Sequence, residues 1–320
     1  MLLAKLIARR LVLGLVTLWL VSVVVFAATQ ALPGDAARAI MGQEATPQRL
    51  QAVRQLLNLD RPVVEQYSRW LAGVATGDLG ESLSLHHTPV SSIIADRVVN
   101  SLLLVAIAAL IAVPLSIVIG AAAAHWRDSG FDMVSSVVTL GLASLPEFVL
   151  GVGLILLFAT SVLHLFPAVS PITREAPIWQ QLNMFVLPGG ALVLATFPYI
   201  ARLLRASMIE VLESEYVAMA RLKGIPEGLV LRRHVLPNAL VPTIQGAALE
   251  LAWLAGGIVV IEYLFAFPGI GQALVEAVQN RDIPVIQAVS LLVAGVYVVT
   301  NLAADILTIL VTPRLRTGSR

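Results

Sequence analysis

Long apolar runs separated by polar connectors set the character of this chain. A bilayer core about 30 Å thick is crossed by about 20 helical residues, and six stretches reach or approach that length. Leu11 to Leu32 and Ser101 to Ala124 contain no charged residue. Met133 to Leu163 contains only Glu147, beside Pro146, while Met184 to Ala201 is shorter and holds Pro188 and Pro198. Ala239 to Ile261 contains only Glu250, and Val285 to Val311 only Asp305. Helix is the predicted state of all six, because backbone groups in lipid must pair within their own segment. The first run exceeds the roughly 7–15 residues of a signal-peptide core, so an uncleaved first helix is expected behind Lys5, Arg9 and Arg10.

Composition sharpens this picture. Hydrophobic residues make up 58% of the 320 and charged residues only 13%, with a mean hydropathy of +0.87. A soluble domain carries roughly 25% charged residues, so part of this chain's solvent is lipid and the fold class is an all-α membrane protein. The absence of cysteine excludes disulfides, thiolate metal sites and a cysteine nucleophile. A net charge of +1 gives no bulk attraction to nucleic acid. With a cytoplasmic N-terminus, the short inside segments hold Arg127, Arg202, Arg205, Arg221, Lys223, Arg232, Arg233 and the basic tail. The two short outside loops hold only Arg174 and Arg281. Six helices with both termini inside is the topology this bias predicts.

The polar connectors are structured. In the outer segment, 33–97, Thr46 and Pro47 read as the start of a helix bearing Leu50, Val53, Leu56 and Leu57. A second helix follows Arg61-Pro62, with Val63, Tyr67, Trp70, Leu71 and Val74 on one face, and Gly77-Asp78-Leu79-Gly80 closes it. The segment is either a cap on the bundle or a docking surface for a soluble partner. The inner stretch from Arg202 to Asn238 is too polar to cross a bilayer. Met208, Val211, Leu212, Tyr216, Met219 and Leu222 recur there at helical spacing, and Gly224-Ile225-Pro226 breaks the helix at a turn read as needing a small residue. Leu229 to Val235 adds a short turn that Pro237 is expected to end.

These residues carry a resemblance. Ala220, Gly224, Leu236 and Pro237 stand at the spacing of the coupling loop of permease subunits in binding-protein-dependent ABC importers. Glu215-Tyr216-Val217, Lys223-Gly224, Asn238-Ala239-Leu240 and Pro242 look like its dipeptide/oligopeptide/nickel branch. Leu32-Pro33-Gly34-Asp35, Leu59-Asp60-Arg61-Pro62, Phe267-Pro268-Gly269-Ile270-Gly271, and Asp305 with Pro313-Arg314 extend the match over nearly the whole chain. The sequence departs from the generic loop at Ala218, where the pattern has Glu, and at His234, where it has Ile. The resemblance implies a type I permease fold, with residues 98–312 as transmembrane domain and 202–238 as coupling loop. It implies an ATPase contact through Glu215, Tyr216, Ala220, Lys223, Gly224, Ile225, Pro226, Leu236 and Pro237. The implied partners are a homologous second permease, two ATPases carrying ATP and Mg, an extracytoplasmic solute-binding protein and a peptide substrate. The implied location is the cytoplasmic membrane of a prokaryote.

The chain itself shows no GxxxxGK[ST] phosphate loop, no HExxH and no GxSxG, so it is expected to be neither an enzyme nor a nucleotide binder. His86-His87 reads as a solvated loop rather than a metal site. Among the intramembrane acids, Asp305 is expected to bond another helix. Glu147 is expected to repair or line the break after Pro146. Glu250 either lines a path or bonds the second permease. Pro114, Pro146, Pro188-Gly189-Gly190, Pro198, Pro242, Gly246 and Gly256-Gly257 are expected to interrupt four of the six spans. Phe265 to Gly271 is either a plain loop or a gate, with Glu250, Phe267, Pro268, Gly269 and Gly271 as gate or pore candidates. The competing readings are the same machinery importing nickel or another small solute, and a gradient-driven transporter, for which the internal repeat is missing.

Overall fold

The computed structural model describes residues 2–31, 61–85, 88–173 and 176–311. The helix expected after Thr46, the Leu32-Pro33-Gly34-Asp35 run, His86-His87, Arg174 and the tail from Pro313 lie outside them. Eleven helices carry the described chain. They are α1 (Leu2–Gln30), α2 (Val63–Thr76), α3 (Val90–His125), α4 (Gly130–Ala143), α5 (Glu147–Ile155), α6 (Leu182–Leu212), α7 (Glu215–Leu222), α8 (Glu227–Val230), α9 (Leu236–Leu264), α10 (Ile270–Asn280) and α11 (Ile283–Val311). Four of these, α1, α3, α6 and α11, are each long and apolar enough to cross a membrane. Two bent pairs, α4 with the stretch from Glu147 to Thr160 that begins with α5, and Glu227–Leu251 with Gly256–Leu264 of α9, bring the total to six if each is one span.

The shortest and most proline-rich apolar run of the sequence forms the centre of the molecule. In α6, 67% of the most apolar stretch is buried, against 11–28% in the other three long helices. Pro188 and Pro198 lie inside it without ending it. Each proline removes one backbone donor, but α6 is enclosed by α3, α5 and α9, so packing holds the helix across both sites. Leu104, Ala108 and Ala112 of α3, Phe185, Leu192 and Phe197 of α6, and Leu254, Ile258 and Ile261 of α9 form the main core. At the α3–α6 crossing the two backbones come close. A Cβ on Gly120 would stand 2.5 Å from the Ala201 carbonyl oxygen, and the Ser116 hydroxyl donates to the Phe197 carbonyl at 3.1 Å. Small residues that let backbones meet are the main device for joining helices in lipid.

Only one of the expected proline breaks is present. Pro114 and Pro242 lie inside continuous α3 and α9, whereas α4 and α5 meet at Pro146 with a 103° change of direction. Proline pushes its predecessor out of the helical region, and here Leu145, largely exposed, leaves the helix. The two halves of α9 diverge by 54° between Leu251 and Gly256.

At the end of the bundle that carries α2 and α10, Phe26 of α1 packs against Tyr67 and Trp70 at ring-centroid distances of 5.3 and 5.7 Å. Ser22 and the Tyr67 hydroxyl are 2.8 Å apart. Thus α2 lies on α1, and Val63, expected on its buried face, is exposed. The boundary expected at 97/98 falls inside α3, a single helix that at 1.5 Å per residue is about 54 Å long and outruns a bilayer core. At the other end Asp305 of α11 pairs with Arg10 of α1 at 2.8 Å, the interhelical bond the sequence led us to expect for it.

Replacing Gly120 by Val is expected to force α3 and α6 apart and lower stability by about 1–3 kcal/mol or more. Thermal denaturation of the purified protein in detergent measures this, and an unchanged midpoint would show that the crossing has slack.

Candidate functional site

The end of the bundle opposite α2 and α10, labelled the inner end for its position relative to them and the α2–α10 end the outer, is built from α7, α8 and the chain around them. The α6 helix stops at Glu213, and Ser214 adopts an extended conformation before α7 begins at Glu215. This break resets the helical phase. Met208, Val211 and Leu212 remain on α6 and pack inward with Val217, Ala220, Val230, Val235 and Ala239, whereas Tyr216, Met219 and Leu222 are exposed, the Tyr216 hydroxyl donating to the His234 carbonyl at 3.4 Å. The single apolar face expected from 208 to 222 is therefore two faces pointing in opposite directions. Small and β-branched residues seat α7 on α3, α6 and α9. Its large apolar residues, exposed by 46% at Tyr216, 55% at Met219 and 81% at Leu222, form an open stripe.

The turn after α7 is closed by two hydrogen bonds, from Gly224 N–H to the Arg221 carbonyl at 2.9 Å and from Ile225 N–H to the Ala220 carbonyl at 3.3 Å. Gly224 has φ +73°, and no atom lies within 4 Å of where its Cβ would be. Glycine is needed here for the left-handed backbone rather than for space, which corrects the expectation of a size limit. Arg221 bridges to Glu227 across the turn at 2.6 Å, and this hydrogen bond raises the pKa of the guanidinium. Lys223 and Pro226 are exposed beside it, and Ile225 is half-buried in the inner cluster.

Pro237 does not end the second helix. From Glu227 the chain runs through α8 and a π-turn, Leu231–Val235, directly into α9, with Leu236 and Pro237 in the first turn. A proline at the start of a helix gives up only a donor that would be unpaired there, and the wider turn before it accommodates its ring. One nearly continuous rod thus leads from Glu227 at the inner end to Leu264 at the outer end.

Phe265 to Gly271 follows the rod and is tightly built. Phe265 and Phe267 are fully buried, and Phe267 meets Phe185 edge-on at 5.4 Å. Beneath the turn lies Glu262, which the sequence reading overlooked because it sits one residue beyond the fifth apolar run. Its carboxylate accepts from the Ser101 hydroxyl and, at 2.6 Å, from Gly271 N–H. Asn100 of α3 donates to the Pro268 carbonyl at 2.8 Å. A Cβ on Gly269 would fall 2.2 Å from the Glu262 carboxylate, and one on Gly271 would fall 2.3 Å from the Val259 backbone. The glycine spacing of Pro268-Gly269-Ile270-Gly271 was the available signal that something packs against that backbone. Of the gate candidates, Phe267, Pro268, Gly269 and Gly271 come together around Glu262. Glu250 lies three turns down α9, half-buried, in a separate neighbourhood. Asp282, at the start of α11, likewise binds the backbone N–H groups of Leu83 and Ser84 at 3.1 and 3.2 Å, so the outer turns are fastened to α3 and α11.

One further ion pair went unforeseen. Asp132 of α4 takes Arg205 of α6 in a two-pronged contact at 2.6 and 2.7 Å, with the acid almost fully buried. It fixes the inner end of α4 to the central helix.

Comparison with known proteins identifies the family. Residues 116–317 match the family described as binding-protein-dependent transport system inner membrane component. Residues 2–105 match the N-terminal region of a binding-protein-dependent transport system membrane component. A protein of Brucella suis biovar 1, provisionally named a peptide transport system permease protein, is 37% identical over 97% of this chain and 98% of its own length. The glutathione transport system permease protein GsiC of Escherichia coli (strain K12) is 37% identical over 95% of this chain and 96% of its own. The chain belongs to the family of binding-protein-dependent transport system inner membrane components, and it is a multi-pass membrane protein of a prokaryotic cell membrane. Members of this family are permease components that work with ATPase and solute-binding partners.

Glu262→Leu leaves the Ser101 hydroxyl and the Gly271 N–H without their acceptor. At about 1–3 kcal/mol for each unpaired buried group, a loss of about 2–6 kcal/mol is expected, with a smaller loss for Glu262→Gln. Thermal denaturation in detergent reads the difference; a Leu variant as stable as the parent would mean that the turn is held by apolar packing alone.

Proposed function

We propose that this chain is one of two homologous permease subunits of an ATP-driven peptide importer in the cytoplasmic membrane. In this reading it crosses the bilayer six times with both termini inside, the α4–α5 pair and the bent stretch from Glu227 to Leu264 each counting as one span. The observation that carries it is the open stripe of Tyr216, Met219 and Leu222, presented by a short helix whose other face is seated in the bundle. An apolar helix face laid in a partner's groove is a recurrent mode of protein recognition, and a permease needs such a contact to receive work from a separate ATPase. ATP and Mg belong to two such ATPase subunits. Arg127, Arg205, Arg221, Lys223, Arg232 and Arg233 cluster at the same end, which the positive-inside bias makes cytoplasmic.

The mechanical consequence follows from the rod. A push on α7 and α8 is transmitted along α9, because no flexible linker separates α8 from α9. At its far end α9 is tied through Glu262 to α3 and α10, so displacement at the inner end reaches the outer turn. The 54° bend near Gly256 is the place where α9 changes angle. A solute delivered from outside would then cross between the two permeases as the rods rock. Peptide as the solute is supported by the names of the similar proteins from Brucella suis and Escherichia coli.

Leu222→Asp puts a charge on the stripe without touching the inner cluster. Loss of one interface anchor costs more than about 1 kcal/mol, and a buried charge costs more, so the yield of co-purified ATPase is expected to fall about tenfold or more. The second permease should remain bound and peptide uptake should fall with the ATPase. Undiminished ATPase recovery would remove α7 as the coupling contact.

A further inference from the structure

The two bent spans meet at their bends. Glu147, the first residue of α5, lays its carboxylate on α9 at Gly257, with Oε1 3.1 Å from where a Cβ on that glycine would stand. Four residues on, a Cβ on Gly151 would meet Leu264 and Phe265, so α5 runs outward alongside the last turns of α9. Gly257 itself stands just past the stretch, Leu251 to Gly256, over which α9 changes direction by 54°. The seven residues from Gly257 to Leu264 cover about 10 Å of helix. Glu262, near that outer end, is level with Ser101, where the charge-free run of α3 begins. The elbow between α4 and α5 therefore lies inside the hydrocarbon core, which is about 30 Å thick.

Lipid at that depth does not suit what the elbow presents. Ala143, Ser144, Leu145 and Pro146 are exposed, and among the described residues no hydrogen bond reaches the carbonyls of Ser144 and Leu145. Irregular backbone at membrane depth is stable only where it is buried in protein or lines water. Pro188 and Pro198 of α6 have the first solution, since both are buried; the elbow has no such cover within this chain. Two acids share its surroundings. Glu147 and, on α9, Glu250 are half-buried and close enough to repel each other. Neither has an ion pair among the described residues, and a carboxylate facing lipid is as costly as a bare carbonyl. A dry protein contact would have to bring a donor for each carbonyl and a cation for each acid. Water serves both.

We propose that the α4–α5 elbow, Ser144 to Glu147, together with Glu250 of α9, faces water in the path between the two permeases. The assignment rests on the two-permease reading above and adds to it the side of this chain along which the path runs.

The chain contains no cysteine, so a single introduced thiol reports on this subunit alone once the subunits are separated on a gel. The test uses the complete transporter, with its second permease, ATPases and binding protein, in right-side-out membrane vesicles. In opened vesicles, Ser144→Cys and Leu145→Cys are expected to react with a charged, membrane-impermeant methanethiosulfonate about tenfold faster or more than Leu15→Cys, because the hydrated thiolate is the reactive form. Leu15 is an exposed position on unbroken α1. In intact vesicles, which offer only the outer face, trapping the ATPases with ATP and vanadate should change the elbow rates about threefold or more, since the trap shifts the population between states open to opposite sides. In either cysteine background, Glu147→Gln should slow a cationic reagent about fivefold, the effect of one charge a few ångströms away in water, and leave a neutral reagent unchanged.

Assembly of each variant is checked by co-purification of the ATPases; Ser144→Cys, which exchanges one oxygen for sulfur, decides if Leu145→Cys does not assemble. Elbow thiols no more reactive than Leu15→Cys overturn the proposal, and their crosslinking to the second permease would show a dry interface instead. A rate that ignores the vanadate trap reduces the elbow to a static crevice, and a cationic rate untouched by Glu147→Gln takes the acid off the wetted wall; each overturns the path as assigned while leaving the importer intact. If the parent transporter shows no vanadate-sensitive ATPase activity, the importer reading itself fails and the path with it, even where the thiols still report water at the elbow.

Discussion

The close approach of α3 and α6 is the constraint on which the remainder of the molecule is arranged. Lipid gives no hydrophobic force between helices, so a helix stays in the centre of a membrane bundle only by backbone proximity and interhelical hydrogen bonds. At Gly120 and Ser116 both are present. With α6 fixed there, α9 packs on its opposite side through Gly246, α5 lies along it, and the Asp132–Arg205 pair fastens the inner end of α4 to it. A buried pair of this kind is costly to break, because removing one partner strands the other.

Two ends with different construction follow from that centre. The outer end is closed by acids that serve as backbone acceptors. Glu262 and Asp282 each gather N–H and hydroxyl groups from segments far apart in sequence, which makes the outer turns rigid. The inner end is closed by small apolar side chains and leaves its large ones outside. The rod from Glu227 to Leu264 connects the two without an intervening loop.

Family membership and geometry answer different questions here. The matches over residues 2–105 and 116–317 establish what kind of protein this is. They do not say why Tyr216 is exposed, why Gly224 cannot readily be replaced, or why Arg205 is paired while Arg202, one turn away, has no partner among the described residues. Those follow from the phase reset at Ser214, from a left-handed backbone, and from the position of Asp132 across from Arg205 alone.

Much of the architecture was legible in the sequence because a bilayer imposes a simple rule. Apolar runs of about 20 residues become helices, so the long spans, the helical character of 215–222 and the turn at Gly224 could be read from residue order. The interhelical role of Asp305 was legible for the same reason, since an acid in an apolar helix must find a partner and Arg10 lies on the first helix at the same end. What the sequence could not decide depends on neighbours. Pro146 breaks its helix and Pro188, Pro198 and Pro242 do not, because a proline's local cost is the same everywhere and only surrounding packing determines whether the helix survives it. Glu262, Ser101 and Gly271 lie up to 170 residues apart, and only tertiary folding makes them one site. Hydropathy marks which residues avoid water, but it carries no phase across a break and no distance between helices; those two quantities belong to the folded chain.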